Sequence, residues 1–108
     1  MNFEIVYNKL VRDKIPEIII ENGKQPITYV ASEQEVKEML YKKLIEELGE
    51  FKETPIEEEL ADILEVIDGI AKVFNLDMNK VKNIKLDKKE KRGGFEERIF
   101  LEKVIEKG

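Results

Sequence analysis

Cysteine, histidine and tryptophan are all missing from this chain of 108 residues. Without cysteine there is no disulfide, no thiolate nucleophile and no sulfur ligand for a metal. Without histidine the usual general base at neutral pH is gone, and with it any Ser-His-Asp arrangement. Acid–base work therefore falls to carboxylates, lysine, tyrosine or a water polarised by a cation. Long apolar runs are missing too: none approaches the ~20 residues that span a bilayer. Met1 to Tyr7 carries no signal-peptide pattern, which predicts a cytoplasmic protein with no membrane partner. Nor is basic charge in surplus. Lys and Arg number 19 against 24 Asp and Glu, a formal charge of −5, which argues against a general nucleic-acid binder.

Charge of both signs is what the chain has in quantity, at 40% of residues, beside 42% hydrophobic residues. That balance predicts one small domain over residues 1–108, with a core but little stability to spare. Association into a homodimer or homotetramer would relieve the shortage.

Local signals predict an all-α fold of about four helices. A short helix is expected from Asp13 or Lys14 to Glu21, because Pro16 is tolerated near a helix start and Asn22-Gly23 is a stop signal. Ser32 and Glu35 have the spacing of a capping box, opening a second helix that reaches about Lys52. Thr54-Pro55 supplies an N-cap and first-turn proline for a third, ending near Asn75. Asp77 or Met78 begins a fourth, polar helix that Gly93-Gly94 ends. Residues 27–31 are β-rich and residues 99–105 mix apolar and charged types, so these segments can form a short strand pair beside the helices, with a last helical turn over 99–105 as the alternative and extended structure favoured.

The most informative feature is a pair of carboxylate doublets on the apolar faces of the second and third helices. At 100° per residue, Val36, Met39, Leu40, Leu44, Leu48 and Phe51 form one stripe, with Glu47 inside it and Glu50 between Met39 and Val36. On the next helix Ile56, Leu60, Ile63, Leu64, Val66, Ile67, Ile70, Val73 and Phe74 define the inner face. Glu59 falls within that face and Asp62 at its edge. Each doublet is spaced i,i+3, so its carboxylates leave neighbouring turns in one direction. Packed antiparallel, the two helices would converge four acids on one small volume.

Desolvating an ionised carboxylate costs on the order of several kcal/mol, so such a cluster calls for a counter-charge. With only oxygen donors on offer, a hard cation fits: Mg²⁺, with Mn²⁺ as a substitute. Mg²⁺ commonly completes its shell with water and substrate phosphates, which leads to phosphate chemistry. Glu46 borders the inner face and can assist. Lys43, one turn before Glu47, is either an ion-pair partner or a phosphate contact. A lone Glu-x-x-Glu carries little information; two doublets on the inner faces of consecutive helices carry much more.

Two basic clusters flank the acids in sequence. Asn8, Lys9, Arg12 and Lys14 lie near the start, while Lys85, Lys88 and Arg92 recur at i, i+3 and i+7 on the fourth helix. Such groups suit a triphosphate, Arg through its planar fork and Lys as a point charge. A solvated lysine-rich helix is the plain alternative. After Arg92, Gly93-Gly94 permits close backbone approach and Phe95 offers a ring to a base; equally, Gly93 is only a C-cap.

The chain resembles the MazG-like branch of the all-α nucleoside triphosphate pyrophosphohydrolases, and in particular its short phosphoribosyl-ATP pyrophosphohydrolase-like members. The stretches that carry the resemblance are Tyr7-Asn8-Lys9-Leu10-Val11-Arg12-Asp13-Lys14-Ile15-Pro16, Lys43-Leu44-Ile45-Glu46-Glu47-Leu48-Gly49-Glu50, Glu58-Glu59-Leu60-Ala61-Asp62-Ile63-Leu64-Glu65 and Lys91-Arg92-Gly93-Gly94-Phe95. Together they extend over most of the chain. The resemblance implies a helical bundle in which Glu47, Glu50, Glu59 and Asp62 hold Mg²⁺. It implies cleavage of a nucleoside triphosphate between the α and β phosphates, giving a monophosphate and pyrophosphate in nucleotide-pool house-cleaning. One of these acids, Glu47, or neighbouring Glu46 would orient or deprotonate the attacking water.

Two departures bear on the substrate. The interval from Glu50 to Glu59 is shorter than in many members. Asp62 is followed by Ile63-Leu64-Glu65, where enzymes of histidine biosynthesis tend to carry a His, which weighs against phosphoribosyl-ATP. That substrate and a non-enzymatic helical module, whose inner acids pair with lysines across an oligomer interface, stand as the alternatives.

Overall fold

Four helices account for all the regular structure among the described residues, 3–108, of the computed structural model: α1 (Ile15–Glu21), α2 (Glu33–Glu53), α3 (Glu57–Val73) and α4 (Met78–Arg92). The protein is an all-α helical bundle, as its caps and periodicities predict. Its contacts divide it into two units, one through Leu76 and one from Asp77 to Gly108. No helix among the described residues is long and apolar enough to cross a membrane.

In the first unit, α2 begins at the expected capping box. The Glu35 amide donates to Ser32 Oγ at 3.1 Å, and the Ser32 amide donates to Glu35 Oε1 at 3.2 Å. The Ser32 amide first, and then the Ser32 hydroxyl, hold the Glu35 carboxyl below its ordinary pKa by hydrogen bonding to its charged form. The turn that follows differs from expectation. Thr54 caps the C-terminus of α2 rather than the N-terminus of α3, and Ile56 occupies the N-cap of α3 with no side-chain bond. Glu57, Glu58 and Glu59 in its first turn favour the positive end of the helix instead. At the far end of α3, Asn75 adopts φ +56° and the Leu76 amide donates to the Ala71 carbonyl at 2.8 Å, ending the helix as a left-handed residue can.

The three-residue connection folds α2 and α3 into an antiparallel hairpin, so that Leu40 lies against Gly69 and Glu47 lies against Glu59 and Asp62. A Cβ on Gly69 would come within 3.2 Å of Leu40 Cδ2, a measure of how closely the helices approach. The buried apolar residues are Leu40, Ile63, Val66 and Ala71, all on this pair. The inner faces are narrower than the wheel suggests. Leu48, Leu60 and Leu64, expected inside, are 49%, 48% and 58% exposed, because a single partner helix covers only a limited arc of each.

The expected strand pair does not form. Ile27, Tyr29 and Val30 are strongly exposed, as are Ile99, Phe100, Leu101, Val104 and Ile105, and neither segment has strand structure. β-rich composition expresses fit to a ladder that a neighbour must supply. Taken by itself, the second unit is α4 and the segment after it. Asp77 caps α4 by accepting from the Asn79 and Lys80 amides, and Gly93 ends it at φ +83°. No residue of α4 is buried.

Candidate metal centre

The acids on the α2–α3 hairpin form two overlapping triads that share Glu47. Glu46, Glu47 and Glu50 each bring a carboxylate oxygen within 4.8 Å of the others, and so do Glu47, Glu59 and Asp62. Both helices place these residues by simple periodicity. Glu46 and Glu47 are adjacent on one turn of α2 and Glu50 follows on the next, while Glu59 and Asp62 stand on the first two turns of α3, which the tight connection brings alongside. The four expected ligands thus meet as two groups joined at Glu47, with Glu50 exposed and Asp62 half-buried.

Glu47 is the one buried charged residue of the hairpin, at 6% exposure. Its Oε1 lies 3.4 Å from Lys43 Nζ, which also reaches Glu46 Oε1 at 3.5 Å. Burial pushes the Glu47 carboxyl above the ordinary glutamate range. Glu50 adds to the push through a hydrogen bond and its charge, and Lys43 only partly opposes it. Glu47 Oε2 and Glu59 Oε2 are buried without any hydrogen-bond partner in the protein. An unsatisfied buried acceptor costs about 1–3 kcal/mol, and two of them in one triad of hard oxygen donors fit a divalent cation of the Mg²⁺ class.

The N-terminal basic residues occupy a position the sequence did not signal. Arg12 Nη2 donates to Asp62 Oδ1 at 2.7 Å, and Lys9 Nζ donates to Glu46 Oε1 at 3.4 Å. These bonds join residues 50 and 37 positions apart, a separation over which no local pattern reports. Asn8 sits beside them in a left-handed conformation at φ +44°, and Lys14 is the N-cap of α1 with no side-chain bond. Lys85, Lys88, Arg92 and Phe95 belong to the second unit. All four are exposed, Phe95 at 97%.

The hairpin has a second face with a different character. On the wheel, Tyr41, Ile45 and Leu48 of α2 and Leu60 and Leu64 of α3 stand on the side opposite Glu46, Glu50 and Asp62, and each is at least 43% exposed. Compared with protein-family models, curated proteins and solved structures, the chain matches none.

Proposed function

We propose that the protein is a Mg²⁺-dependent nucleoside triphosphate pyrophosphohydrolase that cleaves between the α and β phosphates and releases a nucleoside monophosphate and pyrophosphate. The observation that carries this reading is the shared triad: Glu47, Glu59 and Asp62 within 4.8 Å, with two buried oxygens that no protein group satisfies. Glu47, Glu59 and Asp62, with Glu50 from the adjoining triad, are the residues that would hold Mg²⁺ or Mn²⁺. The cation would supply charge neutralisation at the anhydride oxygens. Glu46, partly exposed and paired with Lys9 and Lys43, would orient an attacking water and accept its proton. Lys9 and Arg12, which pair with Glu46 and Asp62 and are more exposed than Lys43, would meet phosphate oxygens. The resemblance supplies the reaction type, and the donor chemistry is compatible with it. A cytoplasmic nucleotide pool is the setting that fits such an activity.

The bare apolar face supports a homo-oligomer as the working form. Two helices that bury so few residues lack a full core, and a second hairpin laid on Tyr41, Ile45, Leu48, Leu60 and Leu64 would complete a four-helix bundle. The same face favours one alternative, a helical binding module without catalysis, in which the acids serve only to pair with Lys43, Lys9 and Arg12.

A hydrolysis screen with standard, deoxy and modified nucleoside triphosphates and phosphoribosyl-ATP, quantifying pyrophosphate and orthophosphate separately, decides between them. Mg²⁺-dependent pyrophosphate release, abolished in Glu47→Gln and in Asp62→Asn, is the expected result. No turnover with Mg²⁺ or Mn²⁺ on any substrate favours the binding module, and orthophosphate as the only product makes the protein a phosphatase.

A further inference from the structure

Three cations face the acidic triads, and they are held in different ways. Lys43 is part of α2 and only 17% exposed, wedged between Glu46 and Glu47. Lys9 and Arg12 are 39% and 56% exposed and stand on residues 3–14, a segment that contains no helix or strand. Among the described residues, the side-chain hydrogen bonds that join positions distant in sequence are the two made by Lys9 and Arg12. The segment before α1 is thus tied to the hairpin through charge pairs with the acids, and those acids are the same ones that have unsatisfied oxygens beside them.

Formal charge sharpens the point. Five carboxylates, Glu46, Glu47, Glu50, Glu59 and Asp62, meet three cations, leaving two negative charges. If Lys9 and Arg12 withdraw, four remain, and the demand for divalent charge doubles. Arg12 and a cation seated in the Glu47–Glu59–Asp62 triad would both draw on the Asp62 carboxylate, and two positive charges sharing one carboxylate repel each other. The guanidinium is also the group best shaped to trade a carboxylate for a phosphate, since both present the same pair of oxygens to its fork.

Resting on the metal-centre reading above, we propose that Arg12, with Lys9, is an exchangeable counter-cation of the acidic centre: uptake of a divalent cation at Glu47, Glu59 and Asp62 loosens the Arg12–Asp62 and Lys9–Glu46 pairs, and the freed Arg12 then binds phosphate oxygens of the ligand. Arg12 is on this account a specificity residue for the metal–polyphosphate complex. Its pairing with Asp62 offsets part of the centre's negative charge until the metal arrives, and its release couples metal uptake to polyphosphate binding.

The distinguishing property is that one substitution moves two affinities in opposite directions. In the full-length protein, Mn²⁺ binding is titrated by electron paramagnetic resonance, and binding of inorganic tripolyphosphate is then measured at saturating Mn²⁺. Removing a competing cation in Arg12→Gln is expected to tighten Mn²⁺ about two- to fivefold, the scale of an exposed ion pair. The same variant is expected to weaken tripolyphosphate about tenfold or more, while Arg12→Lys keeps most of the second effect. The Arg12 guanidinium N–H resonance, followed by NMR with diamagnetic Mg²⁺, is expected to lose its hydrogen-bonded shift as the ion is added. An Arg12 that only props Asp62 in place predicts weaker Mn²⁺ binding in Arg12→Gln and an unmoved guanidinium resonance, and that result overturns the proposal while leaving the metal centre standing. Absence of Mn²⁺ binding in the unsubstituted protein removes the metal centre itself, and the exchange with it.

Discussion

The two faces of the α2–α3 hairpin are built from the same helices and the same periodicity, yet they solve opposite problems. One face gathers Glu46, Glu47, Glu50, Glu59 and Asp62 into two triads, partly covered by Lys9 and Arg12. The other carries Tyr41, Ile45, Leu48, Leu60 and Leu64, each at least 43% exposed, with Tyr41 stacked on Phe74. The acidic face has more negative charge than its own cations neutralise, and the apolar face has more hydrocarbon than the thin core beneath it can use. Each face is therefore incomplete by itself. The first is short of positive charge and the second short of apolar surface, so the two should respond to different partners and fail under different substitutions.

The largest effect is expected where the acidic face is deepest. Glu47→Gln keeps the side chain's shape and removes its charge. Mg²⁺-dependent turnover should fall by well over the ~10–100-fold that groups supporting a metal site from outside typically carry. Thermal stability without metal should hold or rise, because a buried charge has gone. Retained turnover with intact circular dichroism would break the assignment of this face. On the apolar face, Ile45→Asp combined with Leu64→Asp should weaken self-association at least about a hundredfold, since fully burying each such side chain contributes roughly 1.5–3 kcal/mol. Sedimentation over a range of concentrations reads this directly. Without substitution the melting temperature should climb with protein concentration; a monomer with a concentration-independent melting temperature would show that the bare face has no copy laid on it.

Much of this was legible in the sequence, and the limits are physical. Helix starts with a local chemical signature, Ser32 with Glu35 and Asp77, fall where expected, because a cap bonds residues two or three positions away. The acid doublets were legible for the same reason: i,i+3 spacing is a local fact, and one short connection carries it to the neighbouring helix. Thr54-Pro55 misled because a residue good at starting one helix can equally close the preceding one, and geometry at Ile56 decides. The segments at 27–31 and 99–105 have β-rich or mixed composition but no ladder, which no local property supplies. The pairing of Arg12 with Asp62 joins a segment without regular structure to a helix 50 residues on, and only the folded chain brings them together.

Titration should separate the acidic face from its surroundings by a smaller, signed effect. Since burial raises the Glu47 carboxyl, the folded metal-free chain holds that proton more tightly than the unfolded one. Stability should then fall as pH rises from the ordinary glutamate range through the raised value, and level off above it. Glu47→Gln should flatten that slope. Added Mg²⁺ should reverse the trend, because a cation needs the ionised carboxylate, so the gain in melting temperature ought to be larger at pH 8 than at pH 5. An equal gain at both would place the ion elsewhere.

The smallest effect contrasts the hairpin's seam with its outside, using glycine on both. Gly49 lies within α2 on the side turned away from α3, with nothing near the position a Cβ would take, whereas a Cβ on Gly69 would meet Leu40 Cδ2 at 3.2 Å. Neither has the positive φ that would penalise alanine, so each substitution gains helix propensity of about 0.8–1 kcal/mol. At Gly49 that gain should appear whole in the denaturation midpoint. At Gly69 the buried Leu40 methyl must move a few tenths of an ångström, and the net gain should be smaller or vanish. Equal stabilisation by both would mean that the seam at Leu40 is looser than the close approach of the two helices implies. A loss at Gly49 would mean that another chain already covers that side of α2.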